Sequence, residues 1–178
     1  MYFKPPGSRG QALHQDQYFL KAHPGTCLAA WLALDPCDEA NGCVQVVAGS
    51  HRWSILCTTK ADTTISFTDV TVPLPEGQKA CPVLMEAGDI LFFGGSLVHG
   101  SFPNTTADRF RRALIGHYVS GDAEHVTAFL QPVLHLDGTM VTLKVTEPGG
   151  SCGVWVEKDG QPVIEMSGIE TPPTSQSE

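Results

Sequence analysis

Short apolar runs with strand-like alternation recur along the whole chain, and glycine, proline, aspartate and asparagine separate them. Runs of this kind are typical of β-strands, and turn residues between them are typical of a sandwich or barrel. Helical periodicity is almost absent. Strands are predicted at residues 26–34, 42–49, 63–74, 89–100, 111–120, 139–147 and 153–166, and residues 11–20 also resemble a strand. The pattern therefore predicts an all-β, mainly β, fold.

The length of 178 residues and the hydrophobic content of 42% fit one globular domain, which we place at residues 1–168. Residues 169–178 are polar and contain two prolines, so a disordered tail is predicted there. Residues 52–87 join two strands by a connection longer than a hairpin requires. It is either a loop that covers a site and gates a substrate or an ordinary extra hairpin.

The net charge is −8, and the longest basic cluster is RFRR, which argues against a nucleic-acid partner and favours a small molecule. No run approaches the roughly 18 apolar residues of a membrane span. The first residues, MYFKPPGSRG, also lack a signal-peptide pattern. We therefore expect a cytoplasmic protein without a membrane partner. Nothing in the sequence indicates an oligomeric state.

The six cysteines form no C-x-x-C pair, and a chain of this size does not need disulfides to fold. We therefore expect reduced thiols, most of them in the core.

The segment LHQDQYF places His14 and Asp16 two positions apart. On a strand, residues at i and i+2 point to the same face, so this pair could bind one metal ion with a third ligand from elsewhere. His99 is a candidate, because it ends the apolar run GDILFFGGSLVH where a strand meets a loop. Closing a barrel can bring such strands together. Two imidazoles and one carboxylate form the facial triad of non-haem Fe(II) oxygenases.

Four motifs also carry a resemblance. LHQDQYF, ANGCVQVVAGSHR, AGDILFFGGSLVHGS and FRRALIGHYV, in this order within residues 13–119, resemble the phytanoyl-CoA dioxygenase family of Fe(II)/2-oxoglutarate oxygenases. The resemblance implies a double-stranded β-helix, the cupin-like jelly roll. The family's helical N-terminal region is apparently missing, since MYFKPPGS looks like the middle of an early barrel strand, which leaves open a minimal form or a fragment. Ala40 and Ala48 replace the usual residues of two loop motifs.

By this resemblance His14, Asp16 and His99 are the iron ligands. 2-Oxoglutarate and O2 would be cosubstrates, succinate and CO2 would be released, and ascorbate would stimulate turnover. A small organic molecule would be hydroxylated or otherwise oxidised by hydrogen abstraction. Asp16 favours this outcome over halogenation, because related halogenases lack the carboxylate.

Arg111 matches the family's arginine that binds the distal carboxylate of 2-oxoglutarate, Ser101 matches the serine beside it, and Trp31 matches an aromatic position on a pocket-facing strand. A planar, permanently charged guanidinium suits a buried carboxylate better than an ammonium does. Strand alternation places Arg111 on one face together with residues 113 and 115, and Arg112 on the other.

Two other functions stay open. A cupin-like metal enzyme that does not use 2-oxoglutarate would keep the triad and have no use for Arg111, and a jelly-roll binding module or inactive fragment would need neither. Three residues beside the His-Asp pair could contact substrate: Gln15, Gln17 and Tyr18. The remaining histidines are interpreted as structural or surface residues: His23, His51, His117, His125 and His135.

Overall fold

The computed structural model describes residues 1–147 and 149–169, so residues 170–178 of the predicted tail lie outside the described part. Among the described residues there is one α-helix, α1 (Asp16–Leu20), and there are two short 3₁₀ helices (Ser50–Arg52 and Ala128–Leu130). No helix in this part of the chain is long and apolar enough to cross a bilayer. The strands in chain order are β1 (Tyr2–Lys4), β2 (Gln11–His14), β3 (Leu28–Ala33), β4 (Val44–Val46), β5 (Thr59–Lys60), β6 (Val70–Thr71), β7 (Cys81–Pro82), β8 (Ile90–Gly94), β9 (His99–Ser101), β10 (Arg111–Tyr118), β11 (His125–Val126), β12 (Val133–Leu134), β13 (Met140–Val141), β14 (Lys144–Val145), β15 (Ser151–Lys158) and β16 (Gln161–Ile169).

Two four-stranded antiparallel sheets form the centre of the fold. One has the strand order β1-β10-β3-β8 and the other has the order β2-β9-β4-β7. Except at β4 and β7, which belong to the same sheet, consecutive strands of these sheets alternate between the two, so that most neighbours in a sheet are distant in sequence. This arrangement is a jelly roll, and it confirms the predicted all-β fold.

The residues between the two sheets come from alternate positions of their strands. On β10, Arg111 and Ala113 are buried whereas Arg112 and Leu114 are exposed, which confirms the predicted alternation. The main core cluster contains Ala29, Trp31, Ala33, Cys37, Cys43, Val44, Met85, Phe93 and Ala113.

The prediction of one long strand at residues 63–74 is wrong, because only Val70–Thr71 of it is a strand. The Asp62 carboxylate accepts hydrogen bonds from the backbone N–H and the hydroxyl of Thr64, at 2.9 and 2.6 Å. Such local bonds compete with strand pairing and turn the chain. The predicted run at 153–166 is a hairpin, β15–β16, whose two turn residues, Asp159 and Gly160, both have positive φ.

The expectation of reduced cysteines is wrong for one pair, since Cys57 and Cys152 form a disulfide with a Cα–Cα distance of 4.8 Å. The backbone N–H of Cys57 donates to the Gly153 carbonyl at 2.9 Å, so β15 lies directly beside this segment. The two cysteines are 95 residues apart, and their contact depends on how the hairpin packs, which local sequence does not reveal. The other four cysteines are free, and three of them are buried as predicted.

Candidate metal centre

Three potential metal ligands converge where strands β2 and β9 pair. His14 ends β2, His99 begins β9, and the two residues are opposite each other in the register. The Asp16 Oδ1 atom lies 3.4 Å from His14 Nε2 and 3.7 Å from His99 Nε2. All three residues are buried, and their donor atoms lie within 4.8 Å of one another. The structure therefore brings together the three residues that the sequence singled out.

Asp16 lies at the start of a helix and not on the strand that was predicted. The predicted strand at 11–20 ends at His14, Gln15 is extended (φ −118°, ψ 124°), and Asp16 begins α1. Asp16 and Leu20 are the buried residues of this helix. They are four positions apart, so one helical turn places them on the same side. The alternation argument for the His-Asp pair was thus wrong in its geometry, although the two side chains do meet.

Both imidazoles present the same ring nitrogen to the centre. The Nδ1 atom of His14 lies 2.9 Å from the Ala12 carbonyl oxygen, and the Nδ1 atom of His99 lies 3.0 Å from the Leu97 carbonyl oxygen. A carbonyl only accepts, so each Nδ1 carries a proton, and in the neutral ring Nε2 then keeps its lone pair. Such a backbone acceptor fixes the tautomer that a metal ligand requires.

The charge state of the centre also suits a divalent cation. Burial, and next the neighbouring His14, lower the pKa of His99 to about 4, so its imidazole is neutral near pH 7. Burial alone would raise the pKa of Asp16, but the hydrogen bond from His117 holds it well below its usual range. Two neutral imidazoles and one carboxylate are donors that Fe(II) and similar ions accept.

His117 is exposed, as its interpretation as a structural or surface residue allows, but it also contacts this centre, which that interpretation missed. Its Nε2 atom lies 3.1 Å from Asp16 Oδ2, the carboxylate oxygen that does not face the other two histidines. Six positions separate His117 from Arg111 on β10, so strand alternation places both on the same face. That alternation could have identified His117 from the sequence.

The other three predicted site residues line the same narrow cavity as the triad, which has a volume of about 70 Å³. Arg111 is buried, its Nε donates to the Gly42 carbonyl at 3.0 Å, and its Cζ lies 5.3 Å from the centroid of the Trp31 ring. Ser101 is buried on β9, two residues after His99. The cavity thus has the triad, a guanidinium with an aromatic neighbour and a hydroxyl in its wall.

A larger cavity of about 770 Å³ is lined by α1 and by the long connection at residues 52–87. The helix contributes Gln17, Tyr18 and Phe19, and the connection contributes Ile55 and Val70 among others. The ring of Phe19 contacts that of His14, with centroids 6.1 Å apart, so the cavity adjoins the metal centre.

Gln15 has a structural position. It is fully buried, its Nε2 donates to the Ser96 carbonyl at 2.8 Å, and its Oε1 accepts from the backbone N–H of Leu56 at 2.8 Å. Its amide therefore connects α1 to two loops and is not available to a substrate, whereas Gln17 and Tyr18 line the larger cavity.

Comparison with known sequences gives one family. The family model described as phytanoyl-CoA dioxygenase (PhyH) matches residues 1–113. The phytanoyl-CoA dioxygenase of Arabidopsis thaliana is 33% identical over 122 residues, which cover 67% of this chain and 42% of that protein. The peroxisomal phytanoyl-CoA dioxygenase of Homo sapiens is 30% identical over 132 residues, covering 69% of this chain and 38% of the human protein. The matches thus cover about two fifths of the length of these relatives.

Solved structures with a similar fold include non-heme oxidative enzymes. The chain superposes on the non-heme alpha ketoglutarate dependent carbocyclase SnoK from nogalamycin biosynthesis with a TM-score of 0.54 and 26% identity, over 68% of this chain and 48% of SnoK. It superposes on the non-heme monooxygenase ThoJ with a TM-score of 0.55 and 25% identity, over 68% of this chain and 45% of ThoJ.

Proposed function

Because the chain belongs to the phytanoyl-CoA dioxygenase family, we propose that it oxidises a small organic molecule with Fe(II), 2-oxoglutarate and O2. The observation that carries this proposal is the set of three buried donor atoms within 4.8 Å of one another, next to a buried guanidinium. The similarity to SnoK also supports it, because SnoK is described as dependent on alpha ketoglutarate, which is 2-oxoglutarate.

His14, Asp16 and His99 would hold the iron through Nε2, Oδ1 and Nε2. Three protein donors of this kind would leave other coordination positions open for ligands. When bound, the ion and its cosubstrates supply the oxidation, in which a substrate C–H bond is broken and 2-oxoglutarate leaves as succinate and CO2. The carbonyls of Ala12 and Leu97 keep the two imidazoles in the ligand tautomer before the metal arrives.

Arg111, Ser101 and Trp31 would hold 2-oxoglutarate. The guanidinium would pair with the distal carboxylate, the hydroxyl would add one hydrogen bond, and the indole would form the wall beside the guanidinium. The large cavity at α1 would receive the substrate, because Phe19 links its wall to His14. The connection at 52–87 would then contact the substrate, as one of its two predicted roles requires. A cytoplasmic location and stimulation by ascorbate stay predictions.

A cupin-like enzyme that does not use 2-oxoglutarate is the second candidate, and the cationic pocket argues against it. Such an enzyme has no role for Arg111, whose burial is costly without an anionic partner. The test is succinate release from 2-oxoglutarate under air with Fe(II) and ascorbate. We expect succinate formation that requires the metal. Metal binding without any effect of 2-oxoglutarate would favour the second candidate, and no metal binding would favour a binding module.

His117 provides a separate prediction about the metal centre. By donating to Asp16 Oδ2, it should keep Oδ1 directed at the metal. His117→Ala should weaken Fe(II) or Mn(II) binding about 10- to 100-fold, and His117→Gln, which keeps a donor, should recover part of the loss. The exposed His135 offers the control, because His135→Ala should leave affinity unchanged. Equal metal affinity in His117→Ala and the parent would show that the hydrogen bond has no part in metal binding.

A further inference from the structure

Lys4 is a buried cation that none of the functions above uses. It ends β1, directly opposite Arg111 in the register, and only 4% of its surface is exposed. Its Nζ donates to Ser101 Oγ at 2.8 Å and to the Phe102 carbonyl at 2.5 Å. An ammonium is rarely buried unless a charge or several acceptors compensate for the loss of water.

The two neighbouring cations have no acidic partner within the part of the chain that the structure describes. Neither Lys4 nor Arg111 forms an ion pair with a described carboxylate. Burial and the nearby Arg111 lower the pKa of Lys4 to about 7, and burial also lowers the pKa of Arg111. The protein alone therefore leaves this positive charge poorly compensated, and an anionic ligand would compensate it.

The Ser101 hydroxyl is oriented by its donors. Its Oγ accepts from Lys4 Nζ at 2.8 Å and from the backbone N–H of Gln11 at 3.2 Å. A hydroxyl has two lone pairs and one proton, so both acceptor positions are filled and the proton is left to donate. A carboxylate is an acceptor only and matches that arrangement.

The backbone makes room for this lysine. A Cβ atom at Gly42 would lie 2.5 Å from Lys4 Cδ and 2.7 Å from the Phe102 carbonyl oxygen, and Gly42 has a φ of +87° that favours glycine. The Gly42 carbonyl also accepts from Arg111. The loop with the ANG sequence thus packs against both cations.

A third cavity, of about 350 Å³, continues from the narrow one. Both cavities are lined by Tyr2, Gln11, Ser101 and Arg111. The charged residues in the wall of this third cavity are all cations: Lys4, Arg9 and Arg111. The space that leads away from the metal centre past Ser101 is therefore positively charged.

We propose that Lys4 is a positioning residue of the cosubstrate site. It directs the Ser101 proton at the ligand and, with Arg111, makes the site selective for a 2-oxo acid that carries a second carboxylate. The proposal rests on the proposed function, because it concerns the site assigned there to 2-oxoglutarate.

The test compares 2-oxoglutarate with 2-oxopentanoate, which has the same chain length and a methyl group in place of the distal carboxylate. Both affinities are measured by calorimetry on the Mn(II)-loaded protein. Lys4→Met should reduce the preference for 2-oxoglutarate about 10- to 100-fold, since hydrogen bonds to charged groups contribute on this scale. Affinity for 2-oxopentanoate and for Mn(II) should stay the same. The control is Lys60→Met on the exposed strand β5, which should keep the full preference.

Further variants separate Lys4 from a general structural role. In a Ser101→Ala background, Lys4→Met should have a smaller effect than in the parent, and an equal effect would contradict the orientation of Ser101. If Lys4→Met does not fold, Lys4→Gln keeps a neutral donor and should show an intermediate preference. An unchanged preference in a folded Lys4 variant would overturn the role of Lys4 alone. A parent protein that binds both acids equally would instead overturn the proposed function, and the role of Lys4 with it.

Discussion

Replacing His99 with alanine should remove both metal binding and turnover. His99 contributes one of the three side-chain donors of the centre, and its Nε2 lies 3.7 Å from Asp16 Oδ1 with its tautomer fixed by the Leu97 carbonyl. Two remaining donors rarely hold a catalytic ion, and no other described histidine or acidic residue forms part of a metal-binding group with the remaining two. The measurement is the metal content after dialysis, together with succinate release at saturating 2-oxoglutarate.

The exposed His51 serves as the matched histidine control, and His51→Ala should retain metal and activity. A His99→Ala protein that keeps one equivalent of tightly bound Fe(II) or Mn(II) would show that the ion lies elsewhere.

Replacing Arg111 with alanine should leave metal binding intact and greatly increase the 2-oxoglutarate concentration that the enzyme requires. Loss of one partner of a buried, hydrogen-bonded charge pair costs on the order of 2–5 kcal/mol, or roughly 30- to several-thousand-fold in affinity. Arg111→Lys should recover only part of the loss, because an ammonium cannot form the two-pronged contact with a carboxylate. The measurement is a 2-oxoglutarate titration at saturating Fe(II).

The adjacent arginine is a sharp control for this effect. Arg112 points to the opposite face and pairs with Asp35 at 2.9 and 2.5 Å on the surface. Arg112→Ala should therefore change the 2-oxoglutarate requirement little. A large defect in Arg112→Ala beside a normal Arg111→Ala would contradict the position assigned to the cosubstrate.

The strand faces could be predicted from the sequence because alternation is a local property. Alternation along β10 was sufficient to place Arg111 and Arg112 on opposite faces, and the family motif indicated that Arg111 is on the inner one. The same argument extends to His117, which shares the face of Arg111. Lys4 gave no such signal, because a lysine in a three-residue strand looks like an exposed residue until Ser101 and Arg111 are placed around it.

Other features depend on contacts that no local pattern contains. Helix α1 has five residues, which is too short for a helical period to be recognised, so Asp16 was assigned to a strand. His14 and His99 become neighbours only when β2 pairs with β9, and their predicted association therefore rested on the family motifs. The Cys57–Cys152 bond likewise requires the β15–β16 hairpin to pack beside residue 57.

The central claim is that one ion and one 2-oxoglutarate bind side by side between the two sheets. A crystal structure of the complex with Mn(II) and 2-oxoglutarate tests it most directly. We expect the ion on His14 Nε2, Asp16 Oδ1 and His99 Nε2, and the distal carboxylate of 2-oxoglutarate on Arg111 and the Ser101 hydroxyl. An ion bound by other residues, or a 2-oxoglutarate whose distal carboxylate lies away from Arg111, would contradict the account.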